Sequence, residues 1–217
     1  MNFSFPYETK VQDFPVLDLR VECLQSLDQT IDQFFVEYEK TGREDLFEDL
    51  CPYFGNPWPA GLALAGYLQE QLLQFREKRV LEIGCGLAIP SLFLAKNGVD
   101  VQASDLHPDV PVFLSRNLKK NAISSLVFLN IDWRTERIEG HYDYLIGSDF
   151  CYDQKTPELL SAFLKEFLVV NRVAIFSDPG RPYWESFLYN LKEKGFRVDE
   201  FLRDSIFFAR VTLATLR

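Results

Sequence analysis

The residues best suited to chemistry begin where an apolar run breaks into glycine, at Val80-Leu81-Glu82-Ile83-Gly84-Cys85-Gly86. A run of this kind reads as a buried strand, and two glycines after it let the backbone turn tightly and approach a ligand closely. The helix expected next, over Leu87 to Lys96, starts with N–H groups that have no partner inside the helix and can donate to a bound group. Asp105 ends the following strand, about 20 residues on, where an acid accepts hydrogen bonds from ribose hydroxyls. A dinucleotide site of this type needs a third glycine for close helix packing. Here Ile89 and Pro90 stand at that point, and Glu82 would set a negative charge beside a pyrophosphate. Both features favour a nucleoside with a cationic amino-acid tail, a description met by S-adenosylmethionine, whose ammonium Glu82 can hold directly or through water. Cys85 and Leu106 sit in the same two loops and count among the cofactor-lining positions.

A second group, Gly147-Ser148-Asp149-Phe150-Cys151-Tyr152-Asp153, follows the fourth strand of the same series. Ligands of such sheets bind beyond the carboxyl ends of the strands, so Ser148 is placed to face the cofactor, and Asp149 and Tyr152 the transferring methyl group. Methyl transfer is an in-line displacement at a sulfonium, and the protein must align a lone pair with the methyl carbon. A lysine ammonium has no lone pair until it loses a proton. A carboxylate binds and orients the amine while the sulfonium charge favours its neutral form. Asp149 suits the first task, and Tyr152 offers an aromatic wall or a hydrogen bond. Against these stand plainer roles, a ribose or main-chain cap for Asp149 and a core aromatic for Tyr152. Arg181, within Ser177-Asp178-Pro179-Gly180-Arg181-Pro182, is either a substrate contact or part of a turn leading into a helix. Trp58 is either a core aromatic or a cofactor-facing one. His107 reads as a solvated loop residue.

The elements that must position these groups are legible as periodicity. Strands are expected over Arg79–Ile83, Val99–Ala103, Leu126–Leu129, Tyr142–Gly147 and Arg172–Phe176. Helices are expected over Leu62–Phe75, Leu87–Lys96, Pro108–Lys120, Pro157–Leu168 and Pro182–Lys194. The alternation demands right-handed crossovers and a parallel sheet covered on both faces. Phe196–Leu202 and Ile206–Leu216, joined by Arg203-Asp204-Ser205, close the chain as a hairpin and make one strand antiparallel. The expected fold is therefore α/β, a doubly wound and mostly parallel seven-stranded sheet with a C-terminal antiparallel hairpin. A small N-terminal extension (1–55) precedes the main domain (56–217). It is read as a short strand over Pro15–Val21, an amphipathic helix over Ser26–Lys40 with Leu27, Ile31, Phe34, Phe35 and Tyr38 on one face, and a helix over Arg43–Leu50. Its role is acceptor recognition or a lid.

Composition narrows the classes. Aromatics make up 15% of the 217 residues, which supplies a large core. The formal charge of −9, with no Lys/Arg cluster, argues against nucleic acid and for a cationic partner. Four cysteines show no CxxC pair and no metal-ligand spacing, and two histidines, His107 and His141, leave little material for a His-rich metal site or a serine triad. Neither membrane span nor secretory signal is apparent, so a soluble cytoplasmic protein with reduced thiols is expected.

Glu82-Ile83-Gly84-Cys85-Gly86 resembles the first motif of class I, seven-strand methyltransferases, and Ser104-Asp105 their acidic second motif. Asp132-Trp133 resembles the place after the third strand where that family sets a polar residue and a flat side chain against adenine. The Asp149-x-x-Tyr152 pattern, together with Trp58-Pro59-Ala60-Gly61, is similar to the protein-lysine branch, methyltransferase family sixteen. The Asp178 to Pro182 segment is similar to that of lysine methyltransferases acting on the β-subunit of electron-transfer flavoprotein. The resemblance covers about residues 55 to 217. It implies S-adenosylmethionine as cofactor, S-adenosylhomocysteine as product, and a protein lysine as acceptor. A loop of Asp-Phe-Cys-Tyr instead of Asn-Pro-Pro-aromatic disfavours glutamine or adenine acceptors. A small-molecule amine acceptor, and a catalytically inactive binding module, are the alternatives.

Overall fold

The computed structural model describes residues 5–40, 50–169 and 172–214. The N-terminal part departs from the single expected strand. Thr9–Phe14 (β1) and Leu19–Leu24 (β2) pair antiparallel, with a 3-10 turn at Pro15–Leu17 and Asp18 at φ 51° between them. Pro15 has no N–H to give to a ladder, so the chain turns there and the strands fall on either side. The outer edge of β2 is satisfied by side chains. Asn117 and Asn121 each accept from and donate to one of its backbone units, at Glu22 and Arg20, across 2.6 to 3.2 Å. Leu27–Glu39 (α1) buries Phe34 but leaves Phe35 45% exposed, so its apolar face is narrower than expected. The helix expected over Arg43–Leu50 lies outside the described residues apart from Leu50.

The chain then alternates. Pro59–Glu70 (α2) starts with proline at its first helical position, earlier than expected, and Gln71 (φ −102°) separates it from the short Leu72–Phe75 (α3). There follow Arg79–Glu82 (β3), Ile89–Lys96 (α4), Asp100–Asp105 (β4), Val110–Lys120 (α5), Val127–Asn130 (β5), Tyr144–Ser148 (β6), Thr156–Phe167 (α6), Val173–Asp178 (β7), Trp184–Glu193 (α7), Phe196–Arg203 (β8) and Ile206–Leu213 (β9). The sheet order is β5-β4-β3-β6-β7-β9-β8. Pairing is parallel from β5 to β7, and β9 runs antiparallel to both β7 and β8.

Successive residues along the strands feed opposite cores, as the pleat requires. Val80, Ile146 and Ile175 join a core with β2, α2, α4 and α5. Leu81, Leu145, Ala174 and Phe176 join another with α6 and α7. The hairpin β1–β2 thus shares a continuous core with the sheet. The register sets Glu82 beside Ile146, and Ser148 beside Ser177, so the carboxyl ends of β3, β6 and β7 are level and carry the loops that matter.

Candidate functional site

Glu82 ends β3 at 2% exposure and reaches back under the turn, where its Oε2 accepts from the Ser91 amide at 3.0 Å. An acid at the start of α4 is favoured by the helix dipole. Burial nonetheless outweighs the hydrogen bonds from Ser91, the Asp105 charge adds to it, and the Glu82 pKa is pushed up to about 8. Gly84 and Gly86 take φ 54° and 50°, a region costly for residues with a Cβ. A Cβ on Gly86 would lie 3.0 Å from the Phe54 carbonyl oxygen, and one on Gly84 2.9 Å from the Phe150 ring. Asp105 closes the turn from β4. Its Oδ2 accepts from Gly86 N at 2.8 Å and its Oδ1 from His107 N at 2.9 Å.

His107 is not a solvated loop residue. It is 5% exposed, its ring lies 4.3 Å from that of Phe54, Nδ1 accepts from the Asp109 amide at 3.1 Å, and Nε2 lies 3.0 Å from the Leu50 carbonyl oxygen. An Nδ1 acceptor leaves the hydrogen on Nε2, so the neutral ring bridges both loops. Burial above all lowers its pKa, against the pull of Asp109 and Asp105. The loop Cys51–Trp58 is thereby latched over the glycine turn.

The loop after β6 is built around Phe150, whose ring packs against Gly84 and Gly147. Asp149, at φ 61°, is held by its amide to Ser177 O at 3.0 Å. Its Oδ1 accepts from Arg181 Nη2 at 2.7 Å and from Nε at 3.0 Å, while Oδ2 is buried without a hydrogen bond. Burial raises the Asp149 pKa, Arg181 opposes the rise, and Asp178 adds to it. Arg181 in turn stands 5.6 Å over the Trp58 ring, a cation–π distance. Asp178, fully buried, fixes the loop through Gly180 N at 2.8 Å and Arg181 N at 2.6 Å. Asp153 caps the start of α6. Cys151 is buried and its thiol pKa lies far above the ordinary value, and burial raises Cys85 likewise, so neither is an activated thiolate.

Every site position picked out from the sequence lines one cavity of about 630 Å³: Trp58, Glu82, Gly84, Cys85, Gly86, Asp105, Leu106, Asp132, Trp133, Ser148, Asp149, Tyr152 and Arg181. Some have prior commitments there. The Asp132 carboxylate is engaged by Arg134 at 2.8 and 3.0 Å, and Trp133 packs edge-on against Phe150 with centroids 5.6 Å apart. Phe54, His107 and Phe150 line the cavity as well and were not singled out as site residues. Their aromatic character reads as core, and only the three-dimensional contacts reveal them. No group of His, Cys, Asp and Glu able to hold a metal occurs among the described residues.

A family model described as lysine methyltransferase matches residues 53–194. The chain belongs to the lysine methyltransferase family. Within it, the chain is 28% identical over 158 residues to the rat electron transfer flavoprotein beta subunit lysine methyltransferase, covering 70% of this chain and 62% of that protein. It is 28% identical over 144 residues to the Xenopus laevis histone-arginine methyltransferase METTL23, covering 63% and 58%. The chain thus spans about three fifths of the length of these relatives. The glycopeptide N-methyltransferase MtfA, solved with S-adenosyl-L-methionine, superposes with a TM-score of 0.58 at 13% identity, over 69% of this chain and 94% of that one. That likeness concerns the fold, which is the class I methyltransferase fold with its C-terminal hairpin. No helix among the described residues is long and apolar enough to cross a membrane.

Proposed function

We propose that this family member transfers a methyl group from S-adenosylmethionine to the side-chain amine of a protein lysine. The observation that supports it most is that one cavity joins the glycine turn of β3 to the Asp149 carboxylate. Asp105, Asp132, Asp149 and Asp153 line it against Arg134 and Arg181, and Glu82 can add a charge when a cation binds beside it, a balance that suits two cationic reactants and repels a pyrophosphate. The residues fit the cofactor. The turn offers backbone, Glu82 a carboxylate for an ammonium, and Asp105 remaining lone pairs for ribose hydroxyls. The bound cofactor supplies an electrophilic methyl on a sulfonium, whose charge vanishes as the new N–C bond forms.

Asp149 receives the acceptor ammonium and orients it; the ammonium gives up a proton to water in the open cavity, and the freed lone pair then attacks the methyl carbon as the methyl–sulfur bond breaks. Tyr152 and Trp58 wall the approach. Four free, buried cysteines accord with a reducing compartment such as the cytoplasm. Calorimetry with S-adenosylmethionine and, separately, NAD tests the cofactor. Extract incubated with labelled cofactor, followed by mass spectrometry, tests the acceptor: trimethyl-, dimethyl- or monomethyl-lysine in protein supports the reading. Label only in small molecules, or only on arginine, overturns it.

A further inference from the structure

The Asp149 carboxylate assigned to the acceptor ammonium already holds a cation of this chain. Arg181 binds it through two N–H groups, and both go to the same oxygen, Oδ1. A lysine ammonium arriving at Asp149 finds only Oδ2 without a hydrogen bond, and two cations would then share one carboxylate at close range.

The structure also shows what can yield. The Arg181 backbone is fixed, because its amide donates to the buried Asp178 carboxylate. The Arg181 side chain is 28% exposed against 10% for Asp149, and it lies across the Trp58 ring at the cavity wall. An outward swing of the guanidinium over that ring would leave the loop's backbone hydrogen bonds intact. Once released, it is a partly desolvated cation with five N–H donors arranged for a carboxylate.

We propose that Asp149 and Arg181 exchange partners when substrate binds, and that the site selects lysines with a carboxylate close by in the substrate. The ammonium takes Asp149 and the substrate carboxylate takes Arg181. Charge is conserved across the exchange, and no buried ion is left alone. This inference rests on the lysine reading above and adds Arg181 as a specificity residue. A substrate with a lone lysine, or one flanked by further cations, leaves the guanidinium without an anion and binds worse.

The test uses the full chain, labelled S-adenosylmethionine and an array of short lysine-centred peptides carrying Glu, Gln or Lys at each flanking position. Glu-flanked peptides are expected to exceed their Gln-flanked counterparts by about tenfold in kcat/KM, the discrimination of one charge-assisted pair. In Arg181→Gln the preference should collapse to within about twofold, while Arg181→Lys should retain part of it. Thermal melting and cofactor calorimetry on both variants exclude misfolding as the cause. Labelling without an acid preference, or a preference that survives in Arg181→Gln, overturns the exchange and leaves the lysine reading standing. Labelling of no peptide, with cofactor binding intact, overturns both.

Discussion

Arg181 Nη2 lies 2.7 Å from Asp149 Oδ1, while the other Asp149 oxygen is buried without a hydrogen bond. The carboxylate is thus half satisfied, and burial keeps its pKa raised despite the arginine. A folded pKa above the unfolded one means that, near neutral pH, the folded state bears the cost of ionising this group. Asp149→Asn removes that cost, and asparagine tolerates the left-handed backbone at φ 61° better than most residues. The variant relieves that cost but leaves the Arg181 guanidinium without its anion, so its melting temperature is expected to stay within a few degrees of the parent while kcat/KM for methyl transfer falls by about a hundredfold or more. Calorimetry should show cofactor affinity changed by no more than about twofold. A variant that keeps its turnover removes Asp149 from the acceptor site.

Glu82 is expected to give up a proton when cofactor binds. With a pKa of about 8 it is mostly protonated at pH 7 in the free protein. A cation beside it favours the carboxylate, so binding near pH 7 should be accompanied by net proton release. Calorimetry in buffers of different ionisation enthalpy reads this directly. The same shift sets a stability window. The folded pKa lies above the ordinary 4.5, so the contribution of Glu82 is full below that value and is lost as pH rises through about 8. Glu82→Gln should remove the decline in stability between pH 4.5 and about 8 and bind cofactor more weakly. Binding enthalpies independent of buffer would contradict the assignment.

Gly86→Ala tests the latch over the turn. A left-handed conformation costs a residue with a Cβ about 1–2 kcal/mol, and the new methyl would stand 3.0 Å from the Phe54 carbonyl oxygen, a backbone atom. The loop must shift, and with it the wall of the cavity. A loss of about 2 kcal/mol or more in unfolding free energy is expected, with cofactor affinity reduced at least about tenfold. Chemical denaturation and calorimetry on the same preparation separate the two effects. Unchanged affinity in a destabilised variant would show that the loop does not shape the cofactor site.

The sheet was legible because its strands are short apolar runs alternating with helices whose stops are written as glycine or asparagine, such as Asn97-Gly98 and Gly195. The turn after β3 was legible for the same reason: an apolar run that breaks into two glycines just before a helical pattern marks a strand–turn–helix corner, and Gly84 and Gly86 take positive φ there. What escaped were features fixed by contacts distant in sequence. The β1 strand, Thr9–Phe14, is half exposed and mixed in polarity, and its partner β2 is secured by Asn117 and Asn121, nearly a hundred residues away. His107 looked like a polar residue in a loop because its partners, Phe54 and the Leu50 carbonyl, approach from another segment. Asp149 was read as a carboxylate awaiting a cation, and no spacing rule revealed that Arg181 already supplies one. Local pattern specifies elements, and tertiary pairing decides which polar groups remain available.

His107 yields the last expectation. Its pKa is held below the ordinary 6.5, chiefly by burial, with Asp105 and Asp109 pulling the other way. The neutral ring uses both nitrogens, Nδ1 accepting from Asp109 N and Nε2 facing the Leu50 carbonyl. Protonation places a hydrogen on Nδ1 and sets it against the Asp109 amide hydrogen. Because the folded pKa is depressed, the contribution of His107 is complete above 6.5 and is lost as pH falls below it toward the folded value. The loop over the glycine turn should therefore loosen in mild acid. Hydrogen exchange of the Tyr53 and Asn56 amides, which donate to the Cys51 and Tyr53 carbonyls, corrected for intrinsic rates, is expected to show protection falling several-fold between pH 7 and about pH 5.5. In His107→Gln protection should be low at both values. Wild-type protection that holds steady across that interval would mean that Phe54 and its neighbours keep the loop closed without the histidine.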